Sequence, residues 1–154
     1  MERRLKIAER IAQEASLLAL DYFRQLSELE VCVKRPQDVF SEADGEVENL
    51  IRQRLEHHFP QDPIIGEEHG GELSASYWSV DPIDGTSNFL RSSSLWGISI
   101  GYVHDGEPVM GVIVHPVLNL MVSGGKETGV YLNGEPFERP VVAEALKTVA
   151  IGDS

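Results

Sequence analysis

Cysteine is almost missing from this chain: Cys32 stands alone among 154 residues. One thiol excludes an internal disulfide framework and fits a reducing compartment. Flanked by Val31 and Val33, it reads as a small buried apolar group rather than a reactive thiol. Basic residues are scarce too, 13 Lys and Arg against 25 Asp and Glu, for a formal net charge of −12. That balance argues against nucleic acid as a partner, because a phosphate backbone wants a basic surface. It permits cation binding without requiring it, and a solvated acidic surface is the default. No apolar run reaches the roughly 20 residues of a membrane span. The opening Met1-Glu2-Arg3-Arg4-Leu5-Lys6 carries charge but no apolar stretch long enough for a secretory leader. The protein is therefore expected to be cytoplasmic and away from membranes. Internal repeats, low-complexity tracts and interdomain linkers are also lacking. What remains, 42% hydrophobic and 25% charged residues, is ordinary globular composition. A single domain over residues 1–154 is expected.

The apolar pattern divides the chain in two. Ile7, Ala8, Ile11, Ala15, Leu18, Ala19, Tyr22 and Phe23 recur at helical spacing and predict an amphipathic helix over 2–25. Val31 to Val33 is a short apolar piece. Residues 34–38 are expected as a loop, with Pro36 breaking any helix. A second helix is expected over about 44–58, with Val47, Leu50, Ile51 and Leu55 as its buried stripe. Asp44, Glu46 and Glu48 would then lie in its first turns, where the helix dipole favours acid. Pro60 ends it, and Ile64-Ile65-Gly66 begins a short strand. From Trp78 the period becomes two. Strands are expected around Ile98–Tyr102, Val109–His115, Leu120–Ser123 and Val130–Leu132, with Asp105-Gly106 and Asn133-Gly134 as turns. Helices first and an antiparallel meander afterwards make an α+β layered fold. Leu146–Ile151 reads as one more strand, close to Ser154, and an unpaired strand there would be an edge hazard.

Three acidic clusters carry candidate chemistry: Ser41-Glu42-Ala43-Asp44, Gly66-Glu67-Glu68 and Asp81-Pro82-Ile83-Asp84-Gly85-Thr86. In the third, two carboxylates flank a stiff proline turn, so both and the Ile83 carbonyl can aim at one point. Gly85-Thr86 then opens a short helix whose first N–H groups face the same way and suit an anion. Oxygen ligands select hard cations, which makes Mg²⁺ the natural candidate; no His/Cys group has zinc-like spacing. Each cluster also has a plain reading. Asp-Pro-Ile-Asp-Gly-Thr is equally a turn with an N-cap, Glu67-Glu68 a solvated loop pair, and Asp44 a helix N-terminal charge. His69, beside Glu68, is a weak ligand candidate for a hard ion. His57 and His58 suit a helix end, His104 and His115 strand ends, and Trp78 and Trp96 are expected as core anchors.

The run Trp78-Ser79-Val80-Asp81-Pro82-Ile83-Asp84-Gly85-Thr86-Ser87-Asn88-Phe89 resembles the first signature of the inositol monophosphatase family. Ile65-Gly66-Glu67-Glu68 is similar to the family's Gly-Glu-Glu element. Asp38 to Asp44 resembles its Asp-x-x-Thr-x-x-Asp segment, with Ser41 for threonine and Lys34 near the lysine that commonly precedes it. Gly129 to Gly134 resembles its Gly-x-x-x-Asn-Gly turn. The resemblance implies that Glu67, Asp81 and the Ile83 carbonyl bind one Mg²⁺, that Asp81 and Asp84 bind a second, and that Glu67 faces a third, weakly held ion. It further implies phosphate held by the backbone N–H groups of Gly85 and Thr86. Thr86, with Asp44 behind it, would orient and deprotonate an attacking water, with no covalent phosphoenzyme. Metal ions would lower the water's pKa and neutralise developing charge. Lithium sensitivity, a small phosphorylated metabolite as substrate, and an option of homodimers belong to the same implication.

The family's second signature, Trp-Asp-x-Ala-Ala-Gly, is not in this sequence. The expectation is therefore the N-terminal α and β layers of an αβαβα fold, a metal-binding portion with little activity by itself. Related families act on histidinol phosphate, phosphoadenosine nucleotides and fructose 1,6-bisphosphate. Leu95-Trp96-Gly97 is similar to the histidinol-phosphatase group, and Ser87-Asn88-Phe89 to the inositol type. A non-catalytic metal- or partner-binding fragment is the reading from another class.

Overall fold

The computed structural model describes residues 1–28 and 36–138. Val31–Val33 with Cys32, Lys34, and the strand expected over Leu146–Ile151 lie outside the described residues.

Helix α1 runs Glu2–Glu28. Its buried side is Leu5, Ala8, Ile11, Ala12, Ala15 and Ala19, spaced three and four apart as one helical face demands. The alanines let α1 lie close to its neighbours. Helix α2 runs Pro36–His58 and packs along α1. Its stripe is Ala43, Val47, Ile51 and Leu55, each fully buried. Fully burying one such aliphatic side chain stabilises the fold by about 1.5–3 kcal/mol.

The expected start of α2 near residue 44 is corrected: the helix begins eight residues earlier, at Pro36 itself. Proline breaks a helix interior but suits its first position, where its missing N–H has no intrahelical acceptor to lose. Asp44, Glu46 and Glu48, expected in the first turns, therefore sit inside α2, away from the positive end of the helix dipole. The far end is as expected, with His57 and His58 in the last turn.

Seven strands follow in one sheet, in sequence order: β1 Ile64–Gly66, β2 Tyr77–Asp84, β3 Gly97–His104, β4 Glu107–His115, β5 Leu120–Gly125, β6 Gly129–Leu132 and β7 Glu135–Pro136. A one-turn helix α3, Thr86–Leu90, lies between β2 and β3. Strands β2 to β7 form the antiparallel meander, but β1 pairs parallel to β2, so the sheet is mixed. The loop 67–76 carries the chain back along the sheet, which only a parallel pairing needs. Both expected turns are present. Asp105 and Gly106 have φ of 51° and 78°, and Asn133 and Gly134 of 50° and 84°, the paired positive values of a type I′ hairpin.

The helices cover one face of the sheet. Trp78, Val80, Ile98, Ile100, Tyr102, Met110, Val112, Val114 and Met121 point into that layer. Trp78 and Trp96 are core anchors, 0% and 1% exposed. The Trp78 indole N–H donates to Asp62 at 3.1 Å, and Asp62 also pairs with Arg4. The Arg4 guanidinium lies over the Phe59 and Tyr102 rings, so the start of α1 is pinned to the sheet through one cation. No helix among the described residues is long and apolar enough to cross a membrane.

Candidate functional site

Where β2 ends, the ladder breaks its rhythm. Asp81 pairs with Ser99 and Asp84 with Gly97, so two residues of β2 oppose one of β3 between them. Side chains three apart on a regular strand point to opposite faces. One extra residue reverses that parity, which is what a bulge is for beside a site. Pro82, with no N–H to give the ladder, is suited to the interruption. Pro82 and Ile83 turn into the core, while Asp81 is half-buried and Asp84 exposed.

Three elements bring their acids to this point. Asp44 comes from α2 and is 5% exposed. Glu67 and Glu68 come from the exposed loop after β1. Asp81 and Asp84 come from β2. Asp44 is pushed up to about 8, first by burial and then by the neighbouring acids Glu68, Glu67 and Asp81. Asp81 is pushed up to about 7, again by burial first, then by Glu67 and Asp84, with the Ile83 backbone pulling slightly the other way. Neither shift has a cationic side chain against it. Among the described residues three buried side-chain polar atoms lack a hydrogen-bond partner: Asp44 Oδ1, Asp81 Oδ1 and Trp96 Nε1. Two of the three are carboxylate oxygens of this cluster. Buried acceptors without donors are rare in folded proteins and call for a compensating group.

The acids do not already form a closed cage. Among the described residues no three His, Cys, Asp or Glu side chains stand in a metal-holding group. The donor set is nevertheless all oxygen, two of its atoms are orphaned and buried, and the charge it holds is uncompensated. That chemistry fits a hard divalent cation such as Mg²⁺.

The structure thus brings Asp44, Glu67, Asp81 and Asp84 into one electrostatic cluster and removes the plain reading of Asp44 as a helix-end charge. Gly85 caps α3 in the left-handed region, φ 90°, and a Cβ there would meet the Leu95 carbonyl oxygen at 3.1 Å. Its carbonyl accepts from the N–H groups of Asn88 and Phe89, at 2.9 and 3.0 Å. Thr86 opens α3 two residues after Asp84, with Gly85 between them, and is exposed. The Gly129–Gly134 element is architectural: Asn133 Oδ1 accepts from the Met121 N–H at 2.7 Å and its amide nitrogen donates to Asn119 O at 3.2 Å.

Glu48, read from the sequence only as a helix-start charge, belongs to the site. It was one more acid on α2, yet it is 0% exposed. It accepts from Arg52 Nε at 2.6 Å and from the backbone N–H groups of Glu68 and His69, at 2.8 and 3.2 Å. Burial pushes its carboxyl up, but Arg52 and the two backbone N–H groups outweigh that and hold it below the usual glutamate range. His69 Nδ1 lies 3.1 Å from the same carboxylate, which accounts for this histidine without any metal. Glu48 at i and Arg52 at i+4 on an acid-rich helix was the available signal.

Comparison with known proteins decides the kinship. Residues 1–151 match the inositol monophosphatase family. The chain belongs to that family. A histidinol-phosphatase of Chlorobaculum parvum is 37% identical over 142 residues, covering 91% of this chain and 54% of that protein. Inositol monophosphatase 1 of Solanum lycopersicum is 34% identical over 118 residues, 73% of this chain and 43% of its own length. Among solved structures, the inositol monophosphatase of Zymomonas mobilis superposes with a TM-score of 0.76 at 31% identity, covering 90% of this chain and 53% of that one. The Anabaena inositol monophosphatase gives 0.78 at 26%, covering 93% and 52%. The inositol monophosphatase fold is therefore shared, and the chain spans about half the length of the relatives it matches.

Proposed function

We propose that this chain carries the metal-binding layers of a Mg²⁺-dependent phosphomonoesterase that hydrolyses inositol phosphate or a similar small phosphate ester. The observation that carries the reading is the pair of buried, partnerless carboxylate oxygens on Asp44 and Asp81, set among Glu67, Glu68 and Asp84. Glu67, Asp81, Asp84 and the Ile83 carbonyl would hold the cations. Bound Mg²⁺ supplies a lowered water pKa and neutralises charge on the phosphoryl oxygens. Gly85 and Thr86 offer backbone N–H groups to a substrate phosphate. The Thr86 hydroxyl would orient the attacking water, and Asp44 would take the proton once bound cations have lowered its pKa from the metal-free value of about 8. Lithium, a small hard cation, would compete for the same oxygens and inhibit.

A second reading concerns the substrate alone. The relative from Chlorobaculum parvum is named a histidinol-phosphatase and is 37% identical. Histidinol phosphate is thus the alternative ester on the same machinery. The Trp-Asp-x-Ala-Ala-Gly signature is not in this sequence, so little turnover is expected from these 154 residues alone. Homodimers and a cytoplasmic location belong to the proposal as well.

Calorimetric titration with Mg²⁺ tests the reading. Asp81→Asn and Asp84→Asn should each weaken binding at least about tenfold, the scale expected for losing a charged ligand. A wild-type chain that takes up no Mg²⁺, or two variants that bind as wild type does, would overturn it.

A further inference from the structure

We propose that Glu48 is a positioning residue for Glu67, acting through the loop that carries it, with Arg52 as its fixed counter-charge. The inference rests on the metal-binding reading above and adds a part to it. Glu67 lies in an exposed loop, where a side chain and its backbone are ordinarily free to wander. Here the backbone is clamped on both sides of it. Ahead of it, the Gly66 N–H donates to the Gly70 carbonyl at 3.0 Å, closing the loop on itself. Behind it, the N–H groups of Glu68 and His69 converge on the two oxygens of Glu48. Gly66 lets that carboxylate approach: a Cβ at this position would overlap the Glu48 side chain, with Oε2 at only 2.7 Å.

Arg52 completes the clamp. Its Nε holds Glu48 at 2.6 Å, one terminal nitrogen reaches the Ile64 carbonyl at 3.3 Å, and the other pairs with the Gly70 carbonyl. One guanidinium thus grips the strand before the loop, the loop's closing residue and the carboxylate that holds its tip. Glu48 itself is saturated by donors, so it is no cation ligand; its effect on a cation runs through the placement of Glu67. Groups that orient metal ligands commonly change affinity by 10–100-fold when removed.

The test is Mg²⁺ affinity of folded protein, measured beside stability in EDTA. Glu48→Gln should weaken Mg²⁺ binding about tenfold, and Arg52→Lys, which keeps the charge but loses the fork, several-fold. The amides of Glu68 and His69 should exchange with solvent at least about tenfold faster in Glu48→Gln while the β3–β4 amides keep their protection. The control is Glu9→Gln. Glu9 is also buried and accepts from Ser123 at 2.6 Å, between α1 and β5. It should lose stability yet bind Mg²⁺ within twofold of wild type. Glu48→Gln and Arg52→Lys both binding within twofold of wild type would overturn the inference while leaving the metal reading intact. If Glu48→Gln does not fold, Arg52→Lys decides alone. A wild-type chain that binds no Mg²⁺ removes the metal reading, and this inference with it.

Discussion

Neutralising Asp44 should make the metal-free protein more stable, and more so as the pH rises. Asp44 moves from 3.8 to about 8 on folding. Between those values the native state keeps a proton that the unfolded state has lost. The native state binds more protons, so stability falls as pH rises from about 4 to about 8. At about 1.4 kcal/mol per pH unit the full effect for an isolated group is about 6 kcal/mol. Asp81 is part of the cause and is itself relieved when Asp44 loses its charge, so about 2–3 kcal/mol is the expected gain of Asp44→Asn at pH 8. At pH 5 most of that gain should be gone. The amide also supplies a donor that the Glu68 carboxylate can accept. Urea denaturation in EDTA at pH 5 and pH 8 measures it, comparing midpoints at unchanged slope. A variant with the same pH dependence as wild type, or one less stable at pH 8, would refute the reasoning.

Mg²⁺ should reverse that penalty: at pH 8 a concentration about a hundredfold above Kd should stabilise the wild type by about 2.7 kcal/mol and Asp81→Asn far less, read as a shift in thermal midpoint. Gly85→Ala forces a side chain into the left-handed region and against the Leu95 carbonyl, so it should cost about 1–2 kcal/mol by urea denaturation. Leu55→Ala opens a cavity on the fully buried stripe of α2 and should cost about 2–5 kcal/mol, with Mg²⁺ affinity unchanged. Asp62→Ala strands the Trp78 indole N–H and the Arg4 guanidinium together, and about 1–3 kcal/mol of destabilisation should accompany a red-shifted Trp78 emission.

Features written in local chemistry were legible in the sequence. Asp105-Gly106 and Asn133-Gly134 announce their turns because few residue pairs tolerate two positive φ values. The buried stripe of α2 and the alternation of β3 follow from helical and strand periods. Features made by distant partners were hidden. Pro36 as a breaker and Pro36 as a first helical residue look alike until the start of α2 is seen. The parallel pairing of β1 with β2 leaves no mark in a three-residue strand. Family resemblance named Asp44 together with Glu67, Asp81 and Asp84, but the burial that sets Asp44 apart from an ordinary helix acid shows only in the fold. Glu48 read only as a helix-start acid because its partners lie 20 and 21 residues further on, in a loop with no period to read.

The close approach of Gly66 to Glu48 also constrains how this chain can change over generations. A methyl group at Gly66 collides with a carboxylate that Arg52 and two backbone amides hold in place. The two positions therefore cannot drift independently. A lineage that acquires a side chain at 66 must first have shortened 48, and one that shortens 48 first leaves Arg52 without its carboxylate. Each single step passes through a poorer protein, so the pair forms a small valley that substitutions must cross together.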